Sequence, residues 1–296
     1  MQLCCTSICS TWNNNDVHRF LVHGTRISLT WHFFMVYLTK VIILGRIISI
    51  ANQKGGVGKT TTAINLSAFL AAAGKRVLTI DADPQGNTTS GLGIDKYSLE
   101  KTFYDLLLQS HRIDEVTIPT AFPNLFILPS NVELSGAEIE LVGHDKREYI
   151  LRTALTDVKY LYDFIIIDCP PSLNMLTINA LTASDTVLVP IQCEYFALEG
   201  LSQLMHTINL VKKRLNPNLD LEGVVFTMYD ARTNLSMQVI EEVKKHIGSH
   251  IYRTIVPRNV RLSEAPSHGL PISVYDANSK GAESYALLAE EVIARL

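Results

Sequence analysis

Eight consecutive residues, Lys54-Gly55-Gly56-Val57-Gly58-Lys59-Thr60-Thr61, bring together three glycines, two lysines and two threonines. Glycine-rich backbone can turn its N–H groups around an anion, and a helix starting where such a loop ends adds partial positive charge. A lysine at that junction reaches the β- and γ-phosphates of a nucleotide, and the hydroxyl after it holds Mg2+. Lys59 and Thr60 occupy those two places. The loop is therefore predicted to bind ATP through Lys54, Gly55, Gly56, Val57, Gly58, Lys59, Thr60 and Thr61. It departs from the common spacing G-x-x-x-x-G-K-[ST] in one respect. Position 53 is Gln53 rather than glycine, and a second lysine, Lys54, opens the loop.

Phosphoryl transfer asks little covalent help of a protein, so positioned charge does most of the work. Three aspartates suit that task. Asp168 closes the apolar run Phe164-Ile165-Ile166-Ile167, where a carboxylate can hold Mg2+ through a water. Asp81 and Asp83 leave the end of another apolar run. Asp83 is predicted to position the attacking water, and Asp81 to support the metal from its outer shell. The predicted metal set is thus Thr60, Asp81 and Asp168.

These side chains need strands that end together and a helix that starts at Lys59. Ile47–Ala51 reads as a buried strand before the loop, and 62–73 as a helix after it. Further short apolar runs lie at 76–80, 125–128, 164–167, 186–189 (closed by Pro190), 224–227 and 251–256. Helical patterns separate them at 99–109, 138–161 (broken near Gly143), 173–183, 198–215, 239–247 and 281–296. Continuous apolar strands alternating with helices predict an α/β fold, a doubly wound and mostly parallel sheet covered on both faces. In such sheets ligands sit beyond the carboxyl ends of the strands, where all of these loops emerge.

The chain has 296 residues, 47% of them apolar, and a net charge of −3. No global basic field points to nucleic acid or an anionic membrane, so any nucleic-acid contact must come from a local patch. Five cysteines without framework spacing suit a reducing cytoplasm. Residues 1–44 differ from the rest. They hold Cys4, Cys5, Cys9, Trp12 and Trp31, with Asp16 as the one acidic residue. They carry no signal-peptide cleavage site, and the apolar stretch at 27–38 is too short and polar to span a membrane. Cys4, Cys5, Cys9, His18 and His23 fit no common zinc spacing. This segment is read as an extension preceding the domain at 45–296, with Leu44 an alternative start.

The K-G-G-V-G-K-T-T form resembles the deviant Walker A motif of the ParA/MinD family of P-loop ATPases. Asp81-Ala82-Asp83-Pro84-Gln85-Gly86-Asn87 resembles the family's switch I, and Ile167-Asp168-Cys169-Pro170-Pro171-Ser172 its switch II. Residues 192–200, 228–234 and 257–267 are similar to chromosomal ParA proteins of the Soj type. The resemblance runs from about Gly45 to the C-terminus. It implies a nucleotide-sandwich homodimer formed with ATP, in which Lys54 reaches the partner's phosphates and joins Lys59 and Asp83 as a catalytic residue. It implies that Pro257 and Asn259 border the adenine. It also implies that Arg232 and Arg261 bind double-stranded DNA non-specifically through phosphate. Lys212, Lys213, Arg214, Lys244, Lys245, Arg253 and Arg258 are candidates to widen that patch. The implied activity is ATP hydrolysis in chromosome or plasmid segregation, stimulated by a ParB-type partner, in the cytoplasm on the nucleoid.

Three other readings compete. A MinD-like membrane-cycling ATPase would need a basic amphipathic tail, whereas residues 289–296 are acidic; no stable membrane association is expected. An iron–sulfur reductase with the same loop would need two cluster cysteines, and only Cys169 and Cys193 lie in the domain. Asp83 argues against a binding scaffold without turnover.

Overall fold

The computed structural model describes residues 45–108, 111–194 and 197–295. The expectations for residues 1–44 lie outside them. In chain order, β1 (Arg46–Ile50), α1 (Lys59–Ala72), β2 (Val77–Asp81) and α2 (Asn87–Gly91) lead into two short helices, α3 (Phe103–Leu108) and α4 (Ile113–Val116). Next come β3 (Ile118–Pro119), β4 (Leu125–Leu128), α5 (Leu134–Glu140), α6 (Ile150–Thr156), β5 (Phe164–Asp168) and α7 (Met175–Ala183). Then follow β6 (Thr186–Gln192), α8 (Ala197–Arg214), β7 (Asp220–Tyr229), α9 (Asn234–Ile247) and β8 (Ile251–Pro257). The chain closes with α10 (Val260–Glu264), α11 (Ile272–Tyr275) and α12 (Lys280–Ala294).

The strands form one eight-stranded sheet in the order β3-β4-β2-β5-β1-β6-β7-β8. Every pairing is parallel except β3 with β4. This is the doubly wound architecture the sequence predicts. Side chains alternate between two apolar layers, as the pleat requires. Ile165 and Ile167 of β5 face a layer with Leu176 of α7 and Leu204 of α8. Phe164 and Ile166 face the other, with Leu66 of α1 and Leu288 of α12. All five β5 residues are buried. Burying each of the four apolar ones contributes about 1.5–3 kcal/mol, so the strands are held at fixed depth.

Some expectations shift. Pro190 does not close β6 but lies inside it, paired in register with Val225 of β7. The β1–β6 ladder ends at Ile50 opposite Leu188, so β6 has no β1 neighbour beyond that point. Its missing N–H therefore breaks no ladder bond, and its carbonyl is used elsewhere. The stretch 138–161 is not one broken helix. A 3-10 turn at Leu141–Gly143 follows α5, Lys146 turns left-handed at φ 53°, and α6 starts only at Ile150. α3 begins at Phe103, because the Asp105 carboxylate folds back to accept from the Thr102 N–H at 2.7 Å.

Candidate active site

The glycine loop joins β1 to α1 and is fastened from two strands. Asn52 Nδ2 donates to the Pro190 carbonyl at 2.8 Å, while its Oδ1 accepts the Lys54 N–H at 3.0 Å. Thr227 of β7 donates its hydroxyl to the Val57 carbonyl at 2.8 Å. Gly58 caps α1 in the left-handed region at φ 87°, a conformation that favours glycine. No acidic residue occupies the first turn of α1, which leaves the helix's positive end to an anion. Lys59 is buried and donates to the Lys54 carbonyl at 3.1 Å, curling over the loop. Burial pulls its pKa down, and the charge of Asp168 opposes the shift.

Asp81 and Asp168 end adjacent parallel strands and are register partners. Both are completely buried. Asp168 Oδ2 accepts the Thr60 hydroxyl at 2.8 Å and the Thr88 hydroxyl at 2.7 Å. Its Oδ1 is buried without a hydrogen-bond partner among the described residues. Asp81 Oδ2 accepts the Thr89 N–H and hydroxyl at 2.8 and 2.7 Å. Burial pushes both carboxyls above the ordinary aspartate range; for Asp81 the charge of Asp168 adds to it, and for Asp168 the two threonine hydroxyls oppose it. An orphaned carboxylate oxygen beside a threonine hydroxyl is a hard oxygen set suited to Mg2+. Asp83 stands at the rim. Its Oδ1 accepts the Gln85 N–H at 2.9 Å and its carbonyl accepts the Ser130 hydroxyl at 2.8 Å.

Lys59, Thr60, Asp81 and Asp168 therefore converge. Lys54 is outside this set and pairs with Glu194, both side chains part exposed. Pro257 and Asn259 sit at the carboxyl end of β8, three strands from β1, with Asn259 Oδ1 capping α10 at Leu262. Arg232 follows β7 and is bonded twice to Asp230, at 2.9 and 2.6 Å. Arg261, on α10, pairs with Glu264 and Asp276. The wider basic set divides. Arg258 lies at the carboxyl end of the sheet, whereas Lys212, Lys213 and Arg214 end α8, Lys244 and Lys245 end α9, and Arg253 opens β8, all at the opposite end. Thr88, Thr89 and Ser130 escape the sequence reading.

Cys169 and Cys193 are both buried, and burial pushes their thiols up to about 12 and about 11. Neither offers the accessible thiolate a cluster needs. No helix among the described residues is long and apolar enough to cross a membrane.

A fastened glycine loop, a buried lysine and paired strand-end aspartates define a P-loop nucleoside triphosphatase, and the sequence-family profile described as "AAA domain" matches residues 45–221. The chain is 60% identical over 251 residues to the sporulation initiation inhibitor protein Soj of Bacillus subtilis (strain 168), covering 85% of this chain and 99% of that one. It is 56% identical to the chromosome partitioning protein ParA of Myxococcus xanthus (strain DK1622), covering 85% and 89%. Among solved structures, cobyrinic acid a,c-diamide synthase from Mycobacterium smegmatis with bound ADP and magnesium matches at TM-score 0.75 and 37% identity, covering 85% and 95%. The septum site-determining protein MinD from Pyrococcus horikoshii, complexed with Mg-ADP, matches at TM-score 0.71 and 29% identity, covering 84% and 96%. The chain belongs to the Soj/ParA family of chromosome-partitioning ATPases.

Proposed function

We propose that this protein binds ATP with Mg2+ in the glycine cradle, closes into a homodimer, holds double-stranded DNA non-specifically, and releases it when a ParB-type partner stimulates hydrolysis. The observation that carries the reading is the Asp168 carboxylate, whose Oδ2 accepts the Thr60 hydroxyl and whose buried Oδ1 has no partner among the described residues, with the buried Lys59 close enough for its charge to be felt. Thr60 and Asp168 would hold Mg2+ with Asp81 behind them, and the ion would supply charge neutralisation of the phosphates. Lys59 supplies a cation to the β- and γ-phosphates. Asp83 orients the attacking water from the loop that follows β2.

Lys54 acts across the dimer. Exposed ion pairs contribute only about 0–1 kcal/mol, so leaving Glu194 costs little when a partner's phosphates are within reach. The same holds for Arg232 and Arg261, whose carboxylate partners are exchanged for DNA phosphates. Docking on the nucleoid follows, and two weak patches act as one only when ATP joins the subunits.

The test is ATP-dependent DNA binding and light scattering at low and high salt. Lys54→Ala is expected to retain monomer ATP affinity, to lose the ATP-dependent dimer, and to lose DNA binding with it. Arg261→Glu should weaken binding to unrelated DNA sequences alike and lower the salt slope by about 0.9 per lost phosphate contact. A Lys54→Ala protein that dimerises and hydrolyses at the parental rate refutes the trans role.

A further inference from the structure

Asp81 and Asp168 are register partners, yet their oxygens are bonded differently. Asp81 is satisfied on both. Its Oδ1 accepts the Asp83 N–H at 3.3 Å, and its Oδ2 accepts the Thr89 N–H and hydroxyl. Asp168 has both of its hydroxyl donors, Thr60 and Thr88, on Oδ2, and its buried Oδ1 has no partner among the described residues. A buried carboxylate oxygen without a donor is costly, and it is left with an affinity for a cation.

Thr88 and Thr89 are neighbours on the short helix α2, and both are fully buried. Consecutive helical residues point about 100° apart, so one turn serves two strand ends. The Ser130 N–H donates at 2.9 Å to the Thr89 hydroxyl oxygen, and Thr89 gives its own proton to Asp81. The Thr88 hydroxyl has no bond other than that to Asp168 among the described residues. α2 sits directly on α1, because a side chain at Gly91 would meet the buried Ile64. The seat of Thr88 is thus fixed against the helix that begins with Lys59 and Thr60.

Thr60 has two duties at once. Its proton goes to Asp168, and its oxygen is the proposed ligand of Mg2+. Thr88 has only the first. We infer that Thr88 is a positioning residue of the cation site: its hydroxyl pins Asp168 Oδ2 to α2 and so presents Oδ1 as the oxygen that faces the ion. This rests on the Mg2+ and ATP reading above and gives that site the residue that sets its metal affinity. Carboxylates that serve a metal are themselves held by hydrogen bonds, and losing such a partner weakens metal binding roughly 10–100-fold. The terminal torsion of an aspartate is soft, so without Thr88 the carboxylate is free to swing and exchange its two oxygens. Thr88 bonds the carboxylate and not the glycine loop, so ATP held without metal should be indifferent to its loss.

The test is calorimetric titration of the full chain with ATP at a series of Mg2+ concentrations and in EDTA. Thr88→Val keeps the size and removes the hydroxyl. It should raise the Mg2+ concentration that gives half of the metal-dependent gain in ATP affinity roughly tenfold, with metal-free ATP affinity within about twofold of the parent. Thr88→Ser returns the hydroxyl and should restore the parental Mg2+ requirement. Thr88→Cys, a weaker donor, should fall between them, and it decides by the same criterion if the valine variant does not fold. Thr186→Val controls for a lost hydroxyl alone, since it strips a donor from the buried Glu222 at the other end of the sheet. It should lower the melting temperature and leave the Mg2+ requirement unchanged. A parental Mg2+ requirement in Thr88→Val overturns the role. So does a shift that serine fails to restore, or an equal shift in Thr186→Val. A parent whose ATP affinity ignores Mg2+ overturns the Mg2+ and ATP reading and this inference with it, whereas a responsive parent beside an unshifted Thr88→Val overturns this inference alone.

Discussion

Glu222 and Asp168 are both buried carboxylates on strands of one sheet, at opposite ends. At the amino end Glu222 is saturated. It accepts from the Thr186 hydroxyl at 2.7 Å and the Tyr252 hydroxyl at 2.8 Å, and it pairs with Arg46. Arg295 caps the same cluster, donating to the Glu222 carbonyl at 2.7 Å and stacking over the Tyr252 ring. At the carboxyl end one Asp168 oxygen has no partner among the described residues, and the neighbouring Asp81 carboxyl would carry a like charge. A satisfied buried charge fixes elements in place; an unsatisfied one stores an affinity for a cation. The first holds α12 to the sheet base, and the second is the one proposed to meet Mg2+.

Three substitutions test that contrast. The largest effect is expected from Lys59→Ala, which removes the cradle's own cation. ATP turnover should fall by roughly 10³-fold, with ATP affinity measured by calorimetry falling in parallel. Undiminished affinity would place the phosphates elsewhere. Next comes Glu222→Gln, which leaves Arg46 part-buried without its counter-charge. Urea unfolding should show a loss of about 3 kcal/mol with ATP affinity in the folded protein unchanged. A loss of nucleotide affinity at parental stability would join the two ends and break the comparison. The smallest effect concerns pH. Folding raises the Asp81 and Asp168 pKa values, so the native state binds protons more tightly than the unfolded chain. The contribution of this pair to nucleotide-free stability should therefore be full below the ordinary aspartate value of about 4 and be lost as pH rises toward about 7, the value to which Asp81 is raised. Asp168→Asn should shrink that decline by on the order of 2 kcal/mol while lowering turnover. An unchanged slope would mean that the pair is not proton-linked to folding.

The carboxyl end was the more legible of the two. Gly58-Lys59-Thr60 and the strand-end Asp168 announce their places because loop and strand are local in sequence. The hydroxyl partners are less visible: Thr88 meets Asp168 across eighty residues, and nothing local in Asn87-Thr88-Thr89 names that contact. Glu222 reads as a polar interruption in a strand until Arg46, Thr186 and Tyr252 arrive from three other elements. Pro190 looked like a strand end because its missing N–H is costly only where a neighbour strand continues, and register is not written in one segment. The candidates offered to widen the basic patch were collected by charge along the chain, whereas parallel strands send the ends of α8 and α9 back to the far end of the sheet.

The central position of β1 has a consequence in time. Its partners are β5, paired from Arg46 with Phe164, and β6, paired from Ile48 with Thr186. During synthesis at about 5–20 residues per second, β1 therefore waits on the order of ten seconds for the strands that flank it. Until then Phe164, Pro190 and Thr227 have not been made, and the glycine loop has nothing to be fastened to. ATP cannot act as an early folding template for this chain. A nascent β1–α1 unit instead exposes Ile47, Ile48, Ile50 and the apolar side of α1 to whatever chaperone waits at the ribosome.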